Sequence, residues 1–300
     1  MGRGGKSTAG RWLAHLWREW TVESWRPIQP AFAKPRPRQW SDTRLTAAWL
    51  GHSTVLINFY GITILTDPVL FPRIGIRLPG FTVGPKRLTA AALSVRELPS
   101  IDLILLSHAH FDHLDTRTLK RFGERTTVVT AKNTRDILGR MRFRDVTELR
   151  WGETLRFVRP AGELLVRAFR VNHWGARVRR DTHRGYNAYI LERNGRRIIY
   201  GGDTALTDTF AQLRDARPYD LAIMAISAYN PWIRSHATPE QVVAMCNQAG
   251  VKFIMPVHHQ TFRLSDEPFR EPIERFERAL AAQPERIALR EIGETFVLPE

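Results

Sequence analysis

The sequence predicts a mixed protein of the α/β (α+β) class, in which strands and helices form two similar halves. Two observations support this prediction: short apolar runs of strand length recur along the chain, and segments with helical spacing alternate with them. A third is that unusual polar residues follow directly after predicted strands. With 300 residues, 43% of them hydrophobic, the chain can bury its own core in one compact unit.

The first half begins as a predicted β-meander, because short β-branched and apolar runs are separated by glycines. These runs, together with a later one that ends at a polar cluster, predict strands at 45–50, 55–59, 62–66 and 101–106. Residues 114–122 and 133–142 have helical spacing, and we expect strands between them.

The second half repeats this pattern. Apolar runs predict strands at 164–171, 188–191, 198–200, 221–226 and 253–257. Residues 239–248 and 269–282 have helical spacing. The alternation therefore indicates two mixed halves, with no short repeat of the solenoid kind.

The composition limits the sites and partners that the chain can have. Cys246 is the single cysteine, so an intrachain disulfide and a cysteine-based zinc finger are excluded, and a metal site needs histidines and carboxylates. The formal net charge of +15 favours anionic partners such as phosphates, lipid headgroups or nucleic acid. Because no apolar run approaches the ~18 residues of a membrane span, we expect a cytoplasmic protein, with peripheral attachment to the inner membrane face as an alternative.

Residues 1–40 differ in composition from the rest of the chain and predict an N-terminal extension to a hydrolase domain at 41–300. They hold eight Lys and Arg against two Glu, and five of the nine tryptophans. Within residues 11–25, an apolar stripe at i, i+3, i+4 and i+7 indicates one face of a helix, formed by Leu13, Leu16, Trp17 and Trp20. This helix either packs on the domain or lies in a membrane interface.

A dense group of candidate metal ligands follows the predicted strand at 101–106. Three histidines and an aspartate occur within six residues, in Ser107-His108-Ala109-His110-Phe111-Asp112-His113. Imidazoles and a carboxylate on a tight loop can face one point, as divalent transition metals require. Three further predicted strand ends carry His173, Asp203 and His258, and convergence on the first cluster would make each of them a ligand.

Together these motifs resemble the metallo-β-lactamase fold superfamily, whose hallmark is H-x-H-x-D-H followed by a later His, Asp and His. Within it the sequence is most similar to the group of N-acylphosphatidylethanolamine-hydrolysing phospholipases D, over roughly residues 40–298, and it is also related to ascorbate-phosphate lactonase-like proteins. Further matching segments are Trp49-Leu50-Gly51-His52-Ser53-Thr54, Thr66-Asp67-Pro68, Gly84-Pro85-Lys86-Arg87, Glu97-Leu98-Pro99, Asn172-His173-Trp174, Gly202-Asp203-Thr204, His236 with Pro239-Glu240, and His258 with Thr261-Phe262. The resemblance implies a four-layer αββα sandwich with the metal site at one edge of the two sheets.

The resemblance also implies a role for each candidate ligand. One zinc would be held by His108, His110 and His173, the second by Asp112, His113 and His258, and Asp203 would bridge them. Mn²⁺ or Fe²⁺ could occupy the same ligands. Asp67 would orient a ligand imidazole through a hydrogen bond. His259 competes with His258 for its role, and the family motif favours His258.

The implied reaction is attack by a metal-bridging hydroxide, for which the metal-binding carboxylates Asp112 and Asp203 are catalytic. His236 corresponds to an active-site histidine that would bind a phosphate oxygen or protonate the leaving group. Phe111 would line the pocket mouth. The basic stretch Arg177, Arg179, Arg180 and Arg184 either recognises an anion or forms a solvated loop.

Three functions remain open from the sequence. The first is a zinc phosphodiesterase acting on a phospholipid, and the second is a cytoplasmic hydrolase of a small anionic ester or lactone. The third, a nucleic-acid platform, rests on charge alone, and we expect no specific nucleic-acid binding because recognition motifs are absent. The sequence gives no indication of oligomeric state.

Overall fold

Two β-sheets form the centre of the computed structural model, which describes residues 23–139, 141–178 and 180–300. The strands of the first half are β1 (Leu45–Gly51), β2 (Thr54–Phe59), β3 (Ile62–Thr66), β4 (Ile76–Leu78), β5 (Phe81–Val83), β6 (Leu103–Leu105), β7 (Thr127–Ala131) and β8 (Asp145–Leu149). Those that follow are β9 (Thr154–Arg159), β10 (Gly162–Phe169), β11 (Ala188–Arg193), β12 (Arg196–Tyr200), β13 (Tyr219–Ala225), β14 (Val251–Val257) and β15 (Thr295–Val297).

The helices of the described residues are few, and most are short. They are α1 (Thr116–Leu119), α2 (Arg135–Leu138), α3 (Thr209–Gln212), α4 (Pro239–Ala249) and α5 (Glu271–Ala279). Single 3₁₀ turns occur at Pro37–Gln39, Val95–Glu97 and Pro284–Arg286. Among the described residues, no helix is long and apolar enough to span a bilayer.

The two sheets have related topologies. The first sheet has the order β15-β1-β2-β3-β6-β7-β8 and is antiparallel from β15 to β3, then parallel to β8. The second has the order β14-β13-β12-β11-β10-β9 and is antiparallel from β9 to β12, then parallel to β14. Each half is thus a meander followed by parallel strands, which confirms the predicted mixed organisation in two halves.

The main apolar core lies between the sheets. Because successive side chains of a strand point to opposite faces, the second sheet contributes to two cores. Tyr189 and Leu191 of β11 belong to the core shared with the first sheet. Ala188 and Ile190, their neighbours on the opposite face, belong to a second core with helices α4 and α5. The layer of helices on this outer face confirms one side of the implied αββα sandwich.

The outer layer of the first sheet departs from the predicted helices at 114–122 and 133–142, each of which is reduced to one turn. In α1 the hydrogen bonds tighten to the i−3 pattern at Arg121 and Phe122, which donate to the carbonyls of Thr118 and Leu119. In α2 the chain leaves the helix at Gly139, whose φ of +52° suits glycine. Leu119 and Leu138 still join the core of the sheets, and loops supply much of the remaining cover.

The helix predicted within residues 11–25 falls almost wholly on residues outside the described ones, which begin at Glu23. The described part of the N-terminal extension lies against the rest of the chain. Arg26 donates to the carbonyls of Lys86 and Arg87, and the main chain of Gln29 pairs with that of Thr89.

The strand order brings polar residues that follow strands to one edge. Asp67 follows β3, Ser107 follows β6, and Asp203 comes shortly after the end of β12. Ser227 and His258 follow β13 and β14. Because parallel strands end at the same edge of a sheet, these side chains come together where the two sheets meet.

Candidate metal centre

The loop after β6 is tightly turned. The amides of His113 and Leu114 both donate to the carbonyl of His110, at 3.1 and 2.8 Å. The loop is anchored at its start, where the amide of Ser107 donates to Asp67 Oδ1 at 2.7 Å. This turn brings His108, His110 and His113 close to one another in space.

Three imidazoles form the first candidate ligand group. His110 Nδ1 lies 2.8 Å from His108 Nε2 and 3.4 Å from His173 Nε2. The outer nitrogen of His173, Nδ1, lies 2.9 Å from the carbonyl of Ser235 and donates to it. Its Nε2 therefore presents a lone pair to the group, as a metal ligand must.

These imidazoles are neutral near pH 7 because burial disfavours their charged forms. Burial lowers the pKa of His173 to about 3 and that of His110 to about 4, and it holds the pKa of His108 well below its usual range. Neutral imidazole is the form that binds a metal ion.

The second candidate group contains the carboxylate of Asp112. Its Oδ2 lies 3.5 Å from His113 Nε2 and 3.5 Å from His258 Nε2. His52 Nε2 lies 3.0 Å from the same oxygen. In the sequence, the only signal for a place of His52 beside the centre is its position in the matching segment Trp49-Leu50-Gly51-His52-Ser53-Thr54.

Asp203 lies between the two groups. Its Oδ2 is 3.1 Å from His113 Nε2, 3.3 Å from His258 Nε2 and 3.9 Å from His173 Nε2. The approach of its loop requires Gly202, because a Cβ there would lie 2.8 Å from the Cβ of Ser107 and the residue has a φ of +56°. The carboxylate can therefore reach both groups at once.

The charges of the centre are coupled. Burial would raise the pKa of Asp203, but His113 and His258 hold it well below its usual range. Burial alone would lower the pKa of His258, but the carboxylates of Asp203 and Asp112 have the larger effect and raise this pKa to about 9. Without another cation, protons on the imidazoles balance the negative charge of the carboxylates. A bound metal ion would take the place of these protons.

Asp67 supports the centre from beneath. Its carboxylate accepts hydrogen bonds from His113 Nδ1 at 2.6 Å and from the hydroxyl of Tyr200 at 2.6 Å, and also from the hydroxyl of Ser107. The bond to Nδ1 fixes the tautomer of His113, whose Nε2 then faces Asp112 and Asp203.

The two adjacent histidines after β14 point in different directions. His258 has a φ of +72°, and its amide donates to the carbonyl of His52 at 3.0 Å, which turns its ring toward Asp203. The ring of His259 packs instead on Trp49, with 4.5 Å between centroids. The structure thus brings His258, and not His259, to the centre.

The remaining candidates lie around the centre. His236 Nδ1 is 3.7 Å from Asp203 Oδ2, and burial lowers its pKa to about 4. Phe111, expected at the pocket mouth, is half-buried beneath the guanidinium of Arg177, whose carbon lies 4.0 Å from the ring centroid. In the basic stretch, Arg184 is paired with Asp136 and Asp181, and Arg179 lies outside the described residues.

Unsatisfied polar atoms show that the centre fits a bound cation. Within the described part of the chain, the buried atoms in and beside the centre that lack a hydrogen-bond partner include His110 Nε2, His113 Nε2, His258 Nε2, His236 Nδ1, His52 Nδ1 and Asp203 Oδ1. Such atoms carry a large desolvation cost unless something pairs with them. A set of imidazole nitrogens and carboxylate oxygens suits a divalent transition metal.

Comparison with known proteins gives a consistent result. A family model described as the β-lactamase superfamily domain matches residues 63–259. An uncharacterized protein of Mycobacterium tuberculosis is 32% identical over 276 residues, which cover 88% of this chain and 71% of that protein. The N-acyl-phosphatidylethanolamine-hydrolyzing phospholipase D 1 of Caenorhabditis elegans is 29% identical over 262 residues, which cover 81% of this chain and 72% of that protein.

Solved structures show the same fold. Igni18, described as a novel metallo hydrolase from Ignicoccus hospitalis, superposes with a TM-score of 0.64 at 17% identity. The alignment covers 86% of this chain and all of that one.

Proposed function

The chain belongs to the β-lactamase superfamily and is a metal-dependent hydrolase, and on this basis we propose that it is a binuclear phosphodiesterase of the N-acylphosphatidylethanolamine phospholipase D type. The observation that carries the binuclear part is the position of Asp203 Oδ2, 3.3 Å from His258 Nε2 on one side and 3.9 Å from His173 Nε2 on the other. The similarity to the Caenorhabditis elegans phospholipase supports the reaction type.

In this proposal each ligand group holds one cation. His108, His110 and His173 would hold the first, and Asp112, His113 and His258, which form one group with His52, would hold the second. Asp203, which lies 3.3 Å from His258 Nε2 and 3.9 Å from His173 Nε2, would serve both. Zinc suits this set of nitrogen and oxygen donors, and manganese or iron would be accommodated by the same residues. Two such cations would supply the chemistry of the reaction: they would lower the pKa of a bound water toward ~7 and would offset negative charge on a phosphoryl oxygen.

The other residues of the centre orient groups and move protons. Asp67 keeps a proton on His113 Nδ1, and the carbonyl of Ser235 keeps one on His173 Nδ1. His236, with its low pKa, is neutral near pH 7 and can donate a hydrogen bond to a phosphoryl oxygen or relay a proton to the leaving alcohol.

An apolar rim beside the centre supports a substrate with acyl chains. Large apolar side chains are exposed on three segments that also carry residues of the centre, namely Trp174, Leu206, Trp232 and Ile233. The segments are joined, because the amides of Ala205 and Ala237 donate to the carbonyls of Asn172 and Thr204. An exposed apolar rim next to polar groups fits an amphipathic phospholipid better than a small polar ester.

The membrane is the proposed source of such a substrate. The net charge of +15 favours contact with anionic lipid, and Arg234 is exposed in the rim next to Ile233. We also propose a peripheral membrane contact through residues 11–25, on the evidence of the apolar stripe in their sequence.

We expect the zinc-loaded protein to convert N-acylphosphatidylethanolamine in mixed vesicles to phosphatidic acid and N-acylethanolamine, measured by mass spectrometry. The Asp203→Asn variant is the control and should show no turnover, because an amide removes the negative charge that both ligand groups share. Intact lipid with the metal-loaded protein would contradict the phospholipase proposal. Opening of a soluble lactone by the same sample would then indicate the small-ester hydrolase.

A further inference from the structure

Arg177 connects two parts of the candidate metal centre. It follows His173 by four residues, and its side chain turns back to the loop that carries His110, Asp112 and His113. Its Nη1 donates to the carbonyl of Ala109 at 3.0 Å and to that of Leu114 at 2.8 Å. One guanidinium nitrogen therefore binds the main chain at both ends of the loop.

The same guanidinium also covers the middle of the loop. Its central carbon lies 4.0 Å from the ring centroid of Phe111, which is the geometry of a cation–π contact. Burial lowers the pKa of Arg177 to about 10, so it stays charged near neutral pH. The ring and the two carbonyls together hold the guanidinium of Arg177 against the loop from three directions.

The path of the chain before Arg177 is fixed by a close contact between backbones. A Cβ at Gly175 would lie 2.2 Å from the carbonyl oxygen of Gly185 and 2.6 Å from that of Arg184. Gly185 in turn is held by its amide, which donates to the carbonyl of Lys132 at 2.8 Å. Arg177 thus projects from a segment whose position is set by packing, and it can transmit that position to the loop.

We propose that Arg177 is a positioning residue that holds Asp112 and His113 in place relative to His173, so that the second cation binds beside the first. The inference rests on the metal-binding part of the proposed function and is independent of the lipid substrate. It assigns to Arg177 a role inside the protein, whereas the sequence alone left it as an anion-recognition residue or a solvated one.

The test compares Arg177→Met and Arg177→Lys with the wild-type full chain. Zn²⁺ is titrated into metal-free protein in competition with a chromophoric chelator, and the two dissociation constants are measured. We expect Arg177→Met to weaken the second zinc by about 10- to 100-fold, the range typical of outer hydrogen-bond partners of metal ligands. The first zinc should change less, because His108 is held separately through Ser107. Arg177→Lys should restore part of the loss.

The matched control is Arg180→Met, which removes an exposed arginine of the same stretch and should bind both zinc ions as the wild type does. Wild-type affinity for both ions in Arg177→Met, or a rise in KM alone, would overturn the inference and assign Arg177 to substrate binding. If Arg177→Met does not fold, the same zinc titration of Phe111→Leu tests the inference, since this variant removes the ring under the guanidinium and keeps the arginine. Absence of zinc binding by the wild type would instead overturn the proposed function, and this inference with it.

Discussion

At the scale of single residues, the centre depends on hydrogen bonds that decide which ring nitrogen faces inward. His113 donates through Nδ1 to Asp67 at 2.6 Å, and His173 donates through Nδ1 to the carbonyl of Ser235 at 2.9 Å. In both rings this leaves Nε2 for the centre. The residues that set the tautomers are therefore as important as the ligands that they hold.

Asp67→Asn tests this dependence. The amide keeps the shape of the side chain but loses the negative charge that binds His113 Nδ1, so zinc affinity and kcat should both fall by about 10- to 100-fold. Zinc titration and turnover of a soluble phosphodiester measure the two effects. Tyr200→Phe is the matched comparison, because it removes a donor to the same carboxylate without touching the histidine. An equal loss in both variants would contradict the tautomer argument.

The sequence pattern predicted the clustered candidate ligands but not all of the residues that contact their loop. His108, His110, Asp112 and His113 are close in sequence and follow a strand, so their convergence could be predicted locally. His52 and Arg177 reach the same loop only through tertiary contacts over tens of residues, such as the 3.0 Å approach of His52 to Asp112. No local pattern encodes such contacts, and the sequence therefore left both residues without a place at the centre.

At the scale of elements, the two long helices behave differently from the short ones. Helices α4 and α5 each bury an apolar stripe on the second sheet, which includes Val242 and Phe276. Their spacing predicted both, because the pattern reflects this burial, although the predicted range 269–282 extends beyond both ends of α5. Helices α1 and α2 were predicted too long, since a helical spacing of apolar residues does not reveal the tightened turn after α1 or the end of α2 at Gly139. The β4 and β5 hairpin was not predicted at all.

An ion pair joins α4 to α5, and its contribution should depend on pH. Arg275 donates to both carboxylate oxygens of Glu240, at 2.9 and 2.8 Å, and this hydrogen bonding lowers the pKa of Glu240 to about 2. A lowered pKa in the folded state stabilises the protein above the unfolded pKa of ~4.3, and the effect is lost as pH falls toward 2. Because Glu240 is half exposed, Arg275→Met should cost no more than about 1 kcal/mol at pH 7.

Urea denaturation at pH 7 and at successively lower pH values measures the free energy of unfolding of both proteins. The difference between them should shrink from pH 5 toward pH 3. In a Glu240→Gln background, Arg275→Met should show little pH dependence. A difference that stays constant with pH in the otherwise wild-type chain would show that packing, and not the ion pair, accounts for the effect.

At the scale of the whole molecule, the centre joins the two halves. Asp112 and His113 come from the first half, while His173, Asp203 and His258 come from the second. The metal-dependent hydrolase fold could be predicted because each half carries candidate ligands at its strand ends. The meeting of the two sets depends on how the sheets pack, and only the resemblance to a family implied it.

Removal of metal should therefore weaken the association of the halves. Zinc that binds only the folded state stabilises it by about 2.7 kcal/mol when the free zinc concentration is 100 times the dissociation constant. We expect Tm to fall by several degrees in excess chelator and to recover on addition of zinc, as measured by differential scanning calorimetry. Asp203→Asn should show a smaller recovery. A Tm that does not respond to zinc in the wild type would contradict a centre shared between the halves.

The segment from Asn230 to His236 combines two tasks in a few residues. Trp232 is exposed in the apolar rim, yet its carbonyl accepts hydrogen bonds from the amides of Ser235 and His236, at 2.8 and 3.0 Å. Ser235 in turn holds His173. We expect mutations that change the rim to disturb the imidazoles behind it as well. Under the proposed function, substrate range and reaction chemistry are therefore linked, and divergence toward new substrates is expected to require compensating changes within the same seven residues.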